Sequence, residues 1–322
     1  MRVWDCHSDL LARLLEESPE GFTGGRGAGP WRHYDLPRIE RGGVGVLVCA
    51  LFTRDLRGEH PVVRTLRMID LAHRLEELSG GRVAVVHEAA ALERLLAAGR
   101  TALVLSIENG LACLEHLELL RTYHRLGVRA MGLVWNGRNA IADGCGEAAA
   151  GGRLTSFGRA VVREMERLRM VIDVSHLSES CFWDLMELVR RPVIASHSNA
   201  RALCEHPRNL TDEQIRAIAK SGGVIGVNFY PEFLRAPGGA GPGRASMDDV
   251  VAHVLALLER AGEDHVGIGT DFDGIPSGPE GAEDPGCFPL LCERLRAAGL
   301  SGAVLDKVLF GNFYRVFAGA LG

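Results

Sequence analysis

The sequence predicts an α/β fold of the (β/α)8, or TIM-barrel, class. Three observations predict it. Eight short, β-rich apolar runs recur along the chain. Amphipathic helical patterns separate most of them, as expected for a parallel sheet covered by helices. The length of 322 residues suits one such barrel with loop insertions, so residues 1–322 are read as a single domain.

Taken in order, the first run is "RVWDCH" at 2–7, followed by the helical "LLARLLEE". The second, "GVGVLVCALF" at 43–52, precedes "PVVRTLRMIDLAHRLEELSG", whose apolar residues fall at three- and four-residue spacing and which stops at a glycine. Runs three and four are "TALVLSIEN" at 101–109 and "VRAMGLVWN" at 128–136. "TSFGRAVVREMERLRM" comes next, with Thr155 or Ser156 as its N-cap. Run five, "MVIDVSH" at 170–176, and run six, "RPVIASHSN" at 191–199, lead to "TDEQIRAIAKSGG". That helix opens with a Thr-x-x-Gln capping box and ends in glycines. Run seven is "GGVIGVNFY" at 222–230 and run eight "HVGIGTDFDG" at 265–274, with the helix "SMDDVVAHVLALLERAG" between them.

Two stretches, 19–35 and 235–246, are rich in Gly and Pro and lack periodicity. Their glycines neither follow a strand nor open a helix, which argues against a phosphate cradle. A mobile loop over a site is the better expectation.

Composition narrows the function classes. Apolar residues make up 47% and charged residues 24%, an ordinary globular balance. A net charge of −5 offers no footprint for nucleic acid. The absence of a long uninterrupted apolar run predicts no membrane span, and no export signal is recognised at the N-terminus. The eight cysteines form no C-x-x-C pair; Cys49 and Cys113 sit inside apolar runs, and reduced thiols in a cytoplasmic setting are expected.

Barrel enzymes carry their chemistry at the C-terminal ends of the strands. There the runs place Asp5, His7 and Asp9, then Glu108, then Trp135 and Asn136, then His176, His197, Asp271 and Asp273. His7 and Asp9 are two residues apart, so an extended backbone puts both on one face. Glu108 interrupts an apolar run, where a buried carboxylate must be paired or coordinated. His7, Asp9, Glu108, His176 and His197 are five ligands of the kind zinc prefers. One ion cannot use all five and keep an open position; two ions bridged by Glu108 can, with His7 and Asp9 on one side and His176 and His197 on the other. Manganese, cobalt or iron would suit the same donors. Such a pair generates a bridging hydroxide and polarises a carbonyl. Asp271 or Asp273 would move the proton. Asp271 comes first after the strand and is the better placed; Asp273 would then hold the loop or cap the next turn. Asp5 and Cys6 read as supporting residues.

The motifs "DCHSDL", "SIENG", "IDVSHLS", "IASHSNARAL", "HPRNLTDEQI", "GGVIGVNFY", "GIGTDFDGI" and "GNFYRVF" run from residue 5 to 317. In type and order they resemble the membrane dipeptidase (renal dipeptidase) family, peptidase family M19, among the amidohydrolase-like metal barrels. The resemblance implies a binuclear zinc dipeptidase acting on dipeptides, L-D dipeptides included. It implies the same division of ligands around Glu108, Asp271 as the acid/base, and Arg208 as the partner of the substrate's C-terminal carboxylate. It places Tyr230 at the pocket wall, and homodimers occur in the family. One departure stands out. Where mammalian members carry "THN", this chain has "VWN", so Trp135 takes the place of a His that helps bind substrate; either Trp135 or Asn136 supplies a weaker donor, or the substrate sits differently. A related hydrolase acting on N-acyl amino acids, other amides or lactones is therefore the alternative.

Overall fold

The computed structural model describes residues 1–24, 32–54, 59–236 and 244–322. The centres of both Gly/Pro-rich stretches, where a mobile loop was expected, lie outside the described residues. The strands are β1 (Val3–Ser8), β2 (Val44–Phe52), β3 (Val83–Val85), β4 (Thr101–Glu108), β5 (Val128–Gly132), β6 (Val171–Asp173), β7 (Val193–Ala195), β8 (Val224–Val227) and β9 (Val266–Ile268). All pair in parallel, and β1 pairs with both β2 and β9 while β2 pairs with β4, so eight of them close a ring. This is the (β/α)8 barrel that the sequence predicts.

The ninth strand, β3, is absent from the sequence reading. It pairs with Thr101–Leu103 at the start of β4, whereas β5 pairs with Leu105–Ile107 further along the same edge. It extends the barrel wall below β5 and supplies no rim residue. Three residues are too few for their periodicity to announce a strand.

Alternation sorts the core into two layers. On β4, Leu103, Leu105 and Ile107 join the cluster that packs the helices, such as Met68 and Leu75, onto the sheet. Ala102 and Val104 point the other way, into a cluster with Trp4, Val46, Ala130, Val171, Ile194 and Val224, which fills the barrel. Phe313 and Phe317 of the C-terminal helix Asn312–Ala318 join that inner cluster. Continuing along the inner face of β4 leads to Glu108 at the strand's last position, above an apolar plug.

The helices start where capping chemistry says they should. Thr155 accepts from Gly158 N–H at the start of Ser156–Leu168. Thr211 and Gln214 form the reciprocal box that opens Asp212–Lys220, and Ser246 with Asp249 opens Met247–Ala261. No helix among the described residues is long and apolar enough to cross a membrane.

Candidate functional site

The strands end earlier than their apolar runs suggest, and the polar residues beyond them lie in the turns that follow. His176 is three residues past β6, His197 two past β7 and Asp271 three past β9. The φ angles are +71° at His176, +65° at Asp271 and +69° at Asp273. This left-handed conformation is uncommon outside glycine, although His and Asp tolerate it better than most. His176 and Asp271 line the pocket at the barrel mouth, while Asp273 reaches the backbone of the loop at His33 and Tyr34.

The β1 end also differs from the simple two-residue alternation. Asp9 is not extended: it is the junction residue before the helix Leu10–Glu16, with φ −88° and ψ 20°, and its side chain makes no capping hydrogen bond. The pairing of β1 with β2 slips between Asp5 and Ser8. Irregularities of this kind re-aim side chains. His7 and Asp9 still meet, with Nε2 to Oδ2 at 3.6 Å. Asp5 stays out of the centre: it accepts from Tyr34 Oη at 2.6 Å, Thr270 Oγ1 at 2.6 Å and Thr270 N–H at 2.9 Å. It fastens β1 to the end of the barrel ring.

The five candidate ligands converge. Glu108 divides its two oxygens: Oε2 lies 3.3 Å from His7 Nε2 and Oε1 lies 3.0 Å from His176 Nε2. His176 Nε2 is 2.9 Å from His197 Nε2. Two triplets of donors, His7–Asp9–Glu108 and Glu108–His176–His197, each cluster tightly enough to hold an ion, and they share Glu108. A third triplet is His7, Asp173 and His197. All are buried.

Electrostatics favour cations here. Burial pushes the His176 imidazole down to about 4, aided by the nearby Arg208 charge. Burial, then His7 and Arg208, hold His197 well below its usual value. Both rings are thus neutral and carry lone pairs. Burial would raise the Glu108 carboxyl, but His7 and His176 outweigh it and keep the group ionised, below the ordinary carboxylate range. His7 is pulled well above its usual value by Glu108 and Asp9 despite burial. Its Nε2 is buried without a hydrogen-bond partner amid carboxylates. An unpartnered buried nitrogen is costly, and a coordinated metal satisfies it. The donor set therefore fits divalent metal.

Asp271 lies beside this cluster, its Oδ1 3.9 Å from His7 Nε2 and its Oδ2 accepting from Asn228 Nδ2 at 3.0 Å. Burial, with Glu108 adding to it, pushes its carboxyl up to about 6, against the pull of His7. A value near neutral suits a group that takes and gives a proton. Asp273 instead accepts from His33 N–H at 2.6 Å and Tyr34 N–H at 3.2 Å, and so anchors the loop before the next helix. Gly274 keeps space open between the two site carboxylates: an added Cβ would overlap Asp9 Oδ2 and Asp271 Oδ1. Gly274→Ala is expected to displace both and lower kcat/KM about 100-fold, the cost of a misplacement near 1 Å. Kinetics on folded protein of measured metal content check this.

A pocket of about 390 Å³ opens over the cluster. Trp135, Asn136, Arg208 and Tyr230 all line it, with Phe52 and Phe233. Trp135 packs edge-to-face on Phe52 at 5.4 Å and makes an apolar wall. Asn136 has a second contact: its Oδ1 lies 2.8 Å from His176 Nδ1. Arg208 is buried, donates from Nη2 to His197 O at 3.2 Å, and leaves Nε without a partner. Tyr230 packs against Phe233.

Sequence reasoning missed Asn228, Asp173 and Ser196. Asp173 interrupts the apolar run of β6 as Glu108 does that of β4, and the same argument about buried carboxylates singles it out. Asn228 is likewise a polar residue inside an apolar run.

Comparison with known proteins agrees. The family model described as membrane dipeptidase (peptidase family M19) matches residues 1–320. An uncharacterized dipeptidase of Schizosaccharomyces pombe is 34% identical over 98% of this chain and 80% of its own length. The dipeptidase tcpJ of Claviceps purpurea is 33% identical over 88% of this chain and 68% of its own. A metallopeptidase from Rhodobacter sphaeroides, solved with a phosphinate mimic of the dipeptide L-Ala-D-Ala, superposes with a TM-score of 0.91 at 31% identity, covering 99% of both chains. The chain belongs to the membrane dipeptidase family, peptidase family M19.

Proposed function

We propose that the protein is a zinc-dependent dipeptidase whose substrates include L-D dipeptides. The observation that carries this reading is Glu108, whose two carboxylate oxygens face two separate imidazole groups beneath a pocket of dipeptide size. His7, Asp9 and Glu108 would hold one zinc ion, and Glu108, His176 and His197 a second. When bound, the ions would polarise the scissile carbonyl and make water nucleophilic at neutral pH.

The chain's own residues do the rest. Arg208 receives the substrate's C-terminal carboxylate, since a guanidinium fork matches its two oxygens. The scissile carbonyl would then lie over Glu108 and His176, which would help hold the metal that polarises it, and the N-terminal residue would face Phe52 and Trp135. Asp271 accepts the proton of the attacking water and delivers it to the departing amine. Asn228 orients it by holding Oδ2, leaving Oδ1 turned toward His7. The indole of Trp135 can donate a hydrogen bond but carries no charge.

Arg208→Lys is expected to lower kcat/KM about 10- to 150-fold on free dipeptides, the worth of hydrogen bonds to a charged group. On C-terminally amidated dipeptides the loss should nearly vanish. Equal losses on both substrates would remove Arg208 from this role.

The functional reading is tested by kinetics on L-L, L-D and N-acylated dipeptides with metal content measured on the same sample. Cleavage of unblocked dipeptides by the metal-loaded protein supports it. Turnover confined to N-acylated substrates would favour the alternative amidohydrolase, and no cleavage of any dipeptide would refute the proposal.

A further inference from the structure

Asp173 and Ser196 adjoin the candidate metal ligands and are not among the residues that line the pocket above them. Asp173 is the last residue of β6; its Oδ1 accepts from Ser175 N–H at 3.0 Å and Ser196 N–H at 2.9 Å. Its Oδ2 lies 2.5 Å from Ser196 Oγ, and that oxygen lies 2.7 Å from His197 Nδ1. Both residues are buried, and Asp173 is 4% exposed.

A hydroxyl has one proton to give, and an ionised carboxylate only accepts. Ser196 must therefore donate to Asp173, which leaves only lone pairs facing His197. His197 Nδ1 has to be the donor, so its Nε2 carries the lone pair. Asn136 Oδ1 does the same to His176 from the opposite side. The result is two Nε2 lone pairs directed at one another across 2.9 Å, an arrangement that repels unless a cation lies between them. Asp173 falls within ligand distance of His7 and His197, but three of its lone-pair sites are already taken by donors.

We propose that Asp173 and Ser196 are positioning residues that fix the Nδ1–H tautomer of His197 and so keep its Nε2 available to metal. This inference rests on the metal-binding reading above. Metal-bound imidazoles are commonly held in this way by a partner on the other nitrogen.

Asp173→Asn tests the relay with almost no change of shape. The amide keeps one oxygen for the two backbone N–H groups and puts its NH2 against Ser196 Oγ. The serine proton then has His197 Nδ1 at 2.7 Å as its nearest acceptor, well ahead of Ser175 Oγ at 3.4 Å and His7 Nδ1 at 3.5 Å, which drives the His197 ring to Nε2–H and closes the coordinating position. Zinc affinity, measured by competition with a chromogenic chelator, is expected to fall about 10- to 100-fold, while the melting temperature of metal-free protein stays near wild type. Ser196→Ala removes the relay without reversing it and should cost less. In Asp173→Asn/Ser196→Ala no hydroxyl proton remains, so affinity should return to the Ser196→Ala level.

Wild-type affinity in Asp173→Asn, or a double variant that loses the sum of the two single losses, would overturn the relay alone. Should Asp173→Asn fail to fold, Ser196→Ala decides by itself, and unchanged zinc affinity overturns the inference. A wild-type chain that takes up no metal would overturn the functional reading and this inference with it.

Discussion

Glu108→Gln is expected to abolish most activity and to strip metal from the site. An amide has one oxygen, and its NH2 would face an imidazole lone pair where Glu108 now faces both His7 and His176. The shared ligand is lost to one or both triplets, and His7 is left without the ionised Glu108. Losing the Lewis acid forfeits several kcal/mol of charge stabilisation. At 1.36 kcal/mol per decade that is about three orders of magnitude or more in turnover. Metal content by elemental analysis should drop in parallel, with the barrel still folded by circular dichroism. Retained metal with retained activity would show that the bridge is not needed.

The second large effect is expected at Asp271, and it should look different. Asp271→Asn should lower kcat about 100- to 10,000-fold, the usual range for a lost general acid–base, while metal content stays at the wild-type level and KM changes little. The local structure makes asparagine the right probe. Asp271 has a φ of +65°, which asparagine adopts about as readily as aspartate, and an amide oxygen can still accept from Asn228. Alanine would add backbone strain to the chemical loss and blur the two. Glu108 and Asp271 are thus separable: one variant loses metal and rate together, the other rate alone.

Much of this was legible in the sequence because barrel topology does the long-range work. Once eight apolar runs imply a closed parallel ring, residues as distant as His7 and His197 must share a rim, and a polar residue at the end of an apolar run needs a reason to be there. Glu108, His176 and His197 were readable on that ground. The β1 end was harder. His7 and Asp9 do meet, but through a slipped pairing and a strand-to-helix junction rather than through regular alternation. Residues whose part depends on hydrogen-bond direction stayed hidden. Ser196 sits beside His197 in an unremarkable "SHS", and only the distances to Asp173 and the imidazole reveal what its single proton does. Arg208 depended on family resemblance, because a loop arginine carries no periodicity; its burial and unpartnered Nε appear only in three dimensions.

The proposal that two metal ions sharing Glu108 make this barrel a dipeptidase is tested by stripping the protein with a chelator and titrating zinc back while following hydrolysis of L-Ala-D-Ala. No hydrolysis is expected without metal, and full activity at about two zinc ions per chain, one for each donor triplet that contains Glu108. Full activity in the stripped protein, or zinc bound at that ratio with no hydrolysis of any dipeptide, would contradict it.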